Sequence, residues 1–189
     1  MNITVPTLAD TTPAMTVNGW IMFQQYLNAI IIVNRNWTEY RNGFGSFAGN
    51  YWMGNEKVHL LTQAGTTYRL RIEMLFTAYG WMSAEYDQFS LDNKTGLYTL
   101  HVTNYSNGEC GDSLQYQPSS SGYQNGMAFS TYDEANDNLP GCSSQHSSGF
   151  WYNACYWALV WGDVAARVMW YTMSSPQVTQ SRMTIKISD

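Results

Sequence analysis

Gly54-Asn55-Glu56-Lys57-Val58-His59-Leu60-Leu61-Thr62 is followed, after a short Gly-containing link, by Thr67-Tyr68-Arg69-Leu70-Arg71-Ile72-Glu73-Met74-Leu75. The two stretches set different periods side by side. In the first, Val58 and Leu61 fall on one side of a helix that enters through Gly54 and Asn55. In the second, Tyr68, Leu70, Ile72 and Met74 alternate with Thr67, Arg69, Arg71 and Glu73, the pattern of a half-buried strand. A helix and an alternating strand that close together point to an α+β chain, since no parallel βαβ repeat surrounds them.

Upstream, Asn18-Gly19-Trp20-Ile21-Met22-Phe23-Gln24-Gln25 reads as a strand buried on both faces at its start. The apolar run Ala29 to Val33 has no clear place in a sheet. Asn36 to Gly43 reads as a short helix: Asn36 caps it, Glu39 reaches back to the cap, Trp37 and Tyr40 share a face, and Gly43 stops it. Downstream, Tyr98 to Val102 and Arg182 to Ile187 alternate as strands. Residues 108–149 are rich in Ser, Gly, Asn and Asp and show little periodicity; loops of that length in a compact domain are usually functional. Residues 1–18, rich in Thr, Ala and Pro, read as an extended arm before a domain over 19–189.

Composition narrows the function. The chain has 189 residues, about one domain, of which 44% are hydrophobic and 15% aromatic. Only 12% are charged, about half the usual share. The net charge of -5 argues against a partner that needs a basic face, such as nucleic acid. No apolar run is long enough for a membrane span. Four N-x-S/T triplets, at Asn2, Asn36, Asn93 and Asn104, favour a secreted glycoprotein. The first residues lack the basic and apolar segments of a leader, so either the leader was removed or the numbering starts inside a longer chain. Of the 3 cysteines, Cys142 and Cys155 enclose a short loop in which a bridge would contribute about 3 kcal/mol. Cys110 is left over, as a buried thiol or as a bond to another chain.

Catalytic patterns are lacking. Gly43-Phe44-Gly45-Ser46-Phe47-Ala48-Gly49 has the wrong spacing for a dinucleotide loop and follows a helix. His59, His101 and His146 have no ligand-type spacing; the first two read as structural, while His146 sits between the two paired-range cysteines. No G-x-S-x-G occurs. Asp133-Glu134-Ala135-Asn136-Asp137-Asn138 gathers hard oxygen donors, either as a calcium loop or as a solvated acidic turn, with Ala135 where a carboxylate is wanted.

Ordered motifs then carry a resemblance: NGWIMFQ, RNWTEYRNGFG, YWMGNEKVHLLT, YRLRIE, AEYDQFSL, YTLHVTNYS, GDSLQY, NGMAFSTYDEANDN and Cys142 with FWYNACY. Over Gly19 to Ile187 the chain resembles a fibrinogen C-terminal (fibrinogen-related) domain, as in ficolins, tachylectins, tenascins and angiopoietins. The resemblance implies an α+β domain with a twisted antiparallel sheet, short helices and a loop-rich C-terminal subdomain holding calcium, a Cys142–Cys155 bridge and a ligand pocket. The calcium positions fall on Ala135, Asp137, Leu139 and Gly141, with Asp133 or Glu134 as substitutes for the lost carboxylate and a weaker ion as the consequence. In the family's acetyl-binding lectins the pocket lies beside the second cysteine. The matching positions here are His146 and Tyr156, with aromatic and imidazole exchanged, together with Ala154 and Cys155, whose shared peptide is often cis in the family. The following loop, Gly162 to Trp170, is shortened, and the family's amino-terminal disulfide has no counterpart.

Two functions follow as expectations. The first is a secreted, non-enzymatic, lectin-like recognition domain for glycans or other extracellular ligands, with Phe150, Trp151, Tyr152, Tyr156 and Trp157 as an aromatic rim and Trp151 favoured as core. The alternative is a structural subunit of an extracellular assembly, homo- or hetero-oligomeric, using Cys110, the arm and an exposed run from Trp157 to Trp161.

Overall fold

A computed structural model describes residues 2–4, 11–13, 15–27, 33–63, 65–115, 121–162, 168–173 and 178–188. Its elements in chain order are β1 (Asn2–Thr4), β2 (Thr11–Pro13), β3 (Met15–Val17), β4 (Trp20–Tyr26), α1 (Trp37–Asn42), β5 (Phe44–Gly45), β6 (Tyr51–Trp52), α2 (Asn55–Thr62), β7 (Tyr68–Phe76), β8 (Gly80–Leu91), β9 (Leu100–Asn107), α3 (Cys142–Gln145), β10 (Ala158–Leu159), β11 (Met169–Trp170) and β12 (Val178–Ile187). Short 3-10 turns occupy Lys94–Gly96 and Tyr171–Met173.

The main sheet runs β5-β6-β4-β12-β7-β8-β9, with β3 alongside β4, and its pairings are antiparallel. The last strand therefore fills the centre, between β4 and β7. Alternation explains the fit: Leu70, Ile72 and Met74 face inward, and Leu70 and Ile72 sit opposite Ile185 and Met183 in register. The opposite face carries a ladder of charge. Arg182 pairs with Glu73, and Arg71 lies 3.4 Å from both Glu73 and Glu85. Arg69 reaches Glu85 at 2.8 Å, so each buried or half-buried carboxylate there has a cation. Part of the stretch expected to be an arm joins this sheet, since Met15–Val17 pairs with β4 and places Val17 opposite Trp20.

Both main helices form where their local signals lie. Asn36 Oδ1 accepts from Glu39 N–H at 2.9 Å, and Glu39 Oε2 accepts from Asn36 N–H at 3.1 Å, a closed capping box worth about 1 kcal/mol. In α2, Val58 and Leu61 are buried. Phe44–Gly45 and Tyr51–Trp52 turn the glycine-rich stretch into a small hairpin. β4 differs from expectation in where it is covered: Ile21 near its start is half-buried, and the residues from Met22 to Tyr26 are buried on both faces. Tyr98, expected in a strand, instead has φ 49, and β9 begins at Leu100. The reason is the turn at Lys94–Gly96, which the chain leaves through left-handed Leu97 and Tyr98. Of the run from Ala29 to Val33, only Val33 lies among the described residues, and it is buried.

The core behind the sheet is aromatic. Tyr40, Phe44, Trp52, Phe129, Trp151 and Trp161 pack with neighbouring ring centroids 5.0–6.1 Å apart. Such pairs add about 0.5–1.5 kcal/mol each beyond area burial. Two approaches in this core require glycine. A Cβ on Gly149 would lie 2.5 Å from the Tyr40 ring, and one on Gly122 would lie 2.2 Å from the Trp157 indole.

Candidate functional site

The irregular stretch 121–162 is pinned to the core by isolated bonds. Ser130 and Phe150 exchange backbone hydrogen bonds at 2.9 and 3.1 Å, and Trp151 Nε1–H donates to Tyr98 O at 2.8 Å. Tyr40 Oη donates to Val33 O at 2.6 Å and accepts from Gly149 N–H at 2.9 Å. The Cys142–Cys155 disulfide, with Cα atoms 5.3 Å apart, clasps the loop that carries α3. Ala154 N–H donates to Ser121 O and Trp157 N–H to Gly122 O, which ties the residues around Cys155 to a neighbouring strip. No cis peptide occurs among the described residues, so Ala154–Cys155 is trans, contrary to the family-based expectation.

His146 and Tyr156 are brought together. Their rings meet edge to face at 4.7 Å, both half-buried, with Tyr152 beneath them at 6.1 Å from His146 and 6.0 Å from Tyr156. Tyr152 is fully buried, and its hydroxyl lies 2.7 Å from Ser148 Oγ. Burial lowers the His146 pKa, which favours the neutral imidazole, and raises that of Tyr152. The outcome is a two-ring rim over a phenol floor beside the disulfide. The wider rim shrinks accordingly: Phe150, Trp151 and Tyr152 are core residues, Trp151 as favoured, and Tyr156 and Trp157 alone stay half-exposed.

The acidic loop divides. Asp133 Oδ1 accepts from Trp37 N–H at 3.0 Å and Thr131 Oγ1–H at 2.8 Å, which places this carboxylate at the start of α1. Glu134 is exposed and closes a backbone turn with Thr131. Asp137 alone points inward: both of its carboxylate oxygens are buried and have no hydrogen-bond partner. The amides of Ser143, Cys142 and Gly141 approach without closing a bond, and burial holds its carboxyl above the usual range against their pull. A buried carboxylate with no closed hydrogen bond could take a cation, but the groups nearest to it are main-chain N–H donors at the start of α3, which favour its charge by themselves. The donor set is thin, because Ala135 supplies no oxygen from its side chain and no group of three His, Cys, Asp or Glu residues gathers among the described residues.

Other candidates are located as follows. His59 Nδ1 bonds Leu91 O at 2.9 Å and His101 pairs with Asp92 at 3.0 Å, both structural roles. Asn36 is half-buried in its cap, Asn93 and Asn104 are exposed, and the side chain of Asn2 lies outside the described residues. Residues 163–167 of the loop from Gly162 to Trp170 also lie outside them. Ala158, Leu159, Val160 and Trp161 are fully buried, so the run expected as an exposed patch is core. Cys110 is 1% exposed and burial pushes its thiol up to about 12, which leaves the buried-thiol reading in place of a bond to another chain. The role of Asp133 at α1 had no local signal, because its partner lies 96 residues away.

Residues 12–188 match the family described as fibrinogen beta and gamma chains, C-terminal globular domain. The chain belongs to that family. It is similar to human angiopoietin-related protein 7, with 38% identity over 138 residues, covering 72% of this chain and 37% of that protein. It is 34% identical over 152 residues to the human fibrinogen gamma chain, covering 74% of this chain and 34% of that one. The chain thus spans well under half the length of these relatives. Among solved structures, the fibrinogen-like globe domain of human ANGPTL2 superposes with a TM-score of 0.85 at 26% identity, over 100% of this chain and 92% of that one. Lamprey fibrin D-dimer, complexed with the peptide ligand Gly-His-Arg-Pro-amide, superposes with a TM-score of 0.81 at 26% identity, over 91% and 63%. These angiopoietin-related and fibrinogen-like relatives are extracellular and non-enzymatic. In this fibrinogen-related domain no helix among the described residues is long and apolar enough to cross a membrane.

Proposed function

We propose that the domain is a secreted recognition module that takes an extracellular ligand, foremost a glycan, on the late loops beside Cys142–Cys155. The observation that carries this reading is the His146–Tyr156 pair: two half-buried rings, one with a neutral imidazole, over the Tyr152 floor. Aromatic faces suit sugar C–H surfaces and acetyl methyls, and the imidazole adds a donor and an acceptor. Ala154 N–H and Cys155 O at the same edge are already engaged, with Ser121 O and Asn153 N–H, so the rings rather than the main chain carry the recognition. The lamprey fibrin complex, solved with a peptide, makes a peptide the second ligand class to try.

Asp137, with the Leu139 and Gly141 carbonyls, would hold a calcium ion, which would supply positive charge and order to this loop. With one carboxylate its affinity falls to or below that of extracellular calcium modules, around 10⁻⁴–10⁻³ M. The structural-subunit alternative loses two of its supports, since Cys110 and the run from Ala158 to Trp161 are buried.

The test is a glycan array, with acetylated ligands and short peptides included, in calcium and in chelator. Binding that disappears in His146→Ala and Tyr156→Ala, both still folded, is the expected result. Absence of binding in both conditions overturns the proposal.

A further inference from the structure

Asn93 follows β8 and caps the turn Lys94–Gly96. Its Oδ1 accepts from Gly96 N–H at 3.0 Å and from Thr95 Oγ1–H at 2.7 Å. The amide oxygen is thereby fixed and Nδ2 is its free end. Asn93, Lys94 and Thr95 are all exposed.

Beside this triplet lies a pocket of about 270 Å³, lined by Leu91 and the polar residues His59, Thr62, Gln63, Ser90, Asp92 and Asn93 itself. That volume is just under the roughly 300–1,000 Å³ of drug-sized sites, the scale of one ring rather than a chain. Leu91 aside, its lining is polar. A carbonyl can only accept, so His59 Nδ1 carries the proton that meets Leu91 O and Nε2 is the ring's remaining polar atom. Gln63 brings an amide, Ser90 a hydroxyl, and Asp92 a carboxylate already paired with His101. Thr62 is spoken for, donating to Val58 O at 2.9 Å. Mixed donors and acceptors around a single-ring volume match a hydroxyl- and acetamido-bearing sugar.

We propose that Asn93 carries an N-linked glycan whose first N-acetylhexosamine seats in this pocket. The inference rests on the secretory route of the proposed function. In the transfer, the donor is a lipid-linked diphosphate oligosaccharide: the bond from Nδ2 to the sugar C1 forms as the C1–O bond to the diphosphate breaks. Nδ2 gives up one proton and the lipid diphosphate leaves. The other triplets differ in setting. Asn36 is half-buried, with its side chain and N–H both tied into the capping box of α1, and neither Asn36 nor Asn104 lines the pocket.

The test produces the full chain in glycosylating eukaryotic cells, reads occupancy of each triplet by peptide mass spectrometry, and follows release by peptide N-glycosidase from native and denatured protein. Asn93 is expected to be occupied, with release from native protein at least ten-fold slower than from denatured protein. Gln63→Ala, at the exit of α2, should speed the native release and leave occupancy unchanged; His59→Ala serves as a second variant. An empty Asn93 on a secreted chain overturns this proposal alone, whereas an empty Asn93 on a chain retained in the cell overturns the secretory reading with it. Equal release rates in native and denatured protein overturn the seating.

Discussion

Strands β7 and β12 run side by side from Tyr68 opposite Ile187 to Phe76 opposite Val178. Residues 121–162 fold against the same core with only two isolated bridges outside the short strand β10, Ser130 to Phe150 and Thr131 to Glu134. The sheet satisfies its backbone by repetition and so tolerates the loss of any one bond. The late loops satisfy theirs one group at a time, through the Tyr40 hydroxyl, the Trp151 indole, Asn136 on Phe129 O, and one disulfide. A region built from single ties can be reshaped for a ligand without disturbing a ladder, and each tie matters more.

The largest expected effect comes from opening the clasp. Cys142→Ser with Cys155→Ser should cost about 2–5 kcal/mol, read from denaturant unfolding. Hydrogen exchange sharpens the contrast: amides in 121–162 should lose protection while those of β7 and β12 keep theirs. Uniform loss across both regions would show that they unfold as one unit and would break the comparison.

Next is the hinge between the halves. Tyr40→Phe keeps the ring among Trp52, Phe129 and Trp161 but strips the partner from Gly149 N–H, while Val33 O keeps Arg35 N–H at 2.9 Å. Leaving this one buried N–H unsatisfied should lower stability by about 1–3 kcal/mol with little change in the denaturant slope. A neutral result would mean that water replaces the hydroxyl and that the tie is dispensable.

The same contrast explains what the sequence shows. Strand β7 alternates buried and half-buried residues along its whole length, so a period of two could be read directly from Tyr68 to Met74. The cap of α1 was legible because Asn36 and Glu39 are three residues apart and answer each other. In the late region Phe150, Trp151 and Tyr152 are consecutive and all buried, which no period describes. Family motifs place them where pattern cannot. Asp133 shows the remaining gap: in a run of acids it reads as a metal ligand, yet its oxygen serves a helix N–H far along the chain. The rim pair His146 and Tyr156 was legible only through its positions relative to the two cysteines, and its edge-to-face contact was not.

The smallest effect at neutral pH belongs to Cys110, which sits on the seam between the sheet and the turn after β11. Its N–H donates to Ser83 O of β8 at 3.1 Å, and its carbonyl accepts from the Thr172 hydroxyl in the turn after β11. Burial, with Glu109 nearby, lifts the thiol from 9.0 to about 12, so the folded chain holds this proton more tightly than the unfolded chain. Below pH 9 both states are protonated and the thiol makes no difference. As pH rises from 9 toward 12 only the unfolded chain ionises, so stability falls across that window. Melting curves from pH 8 to pH 11 should therefore show the unmodified chain losing ground to Cys110→Ala, and a thiol-specific disulfide reagent should label native protein only as fast as the seam opens. Rapid labelling at neutral pH would place Cys110 at an opening between the sheet and that turn, and this seam would then be less firm than the shared core implies.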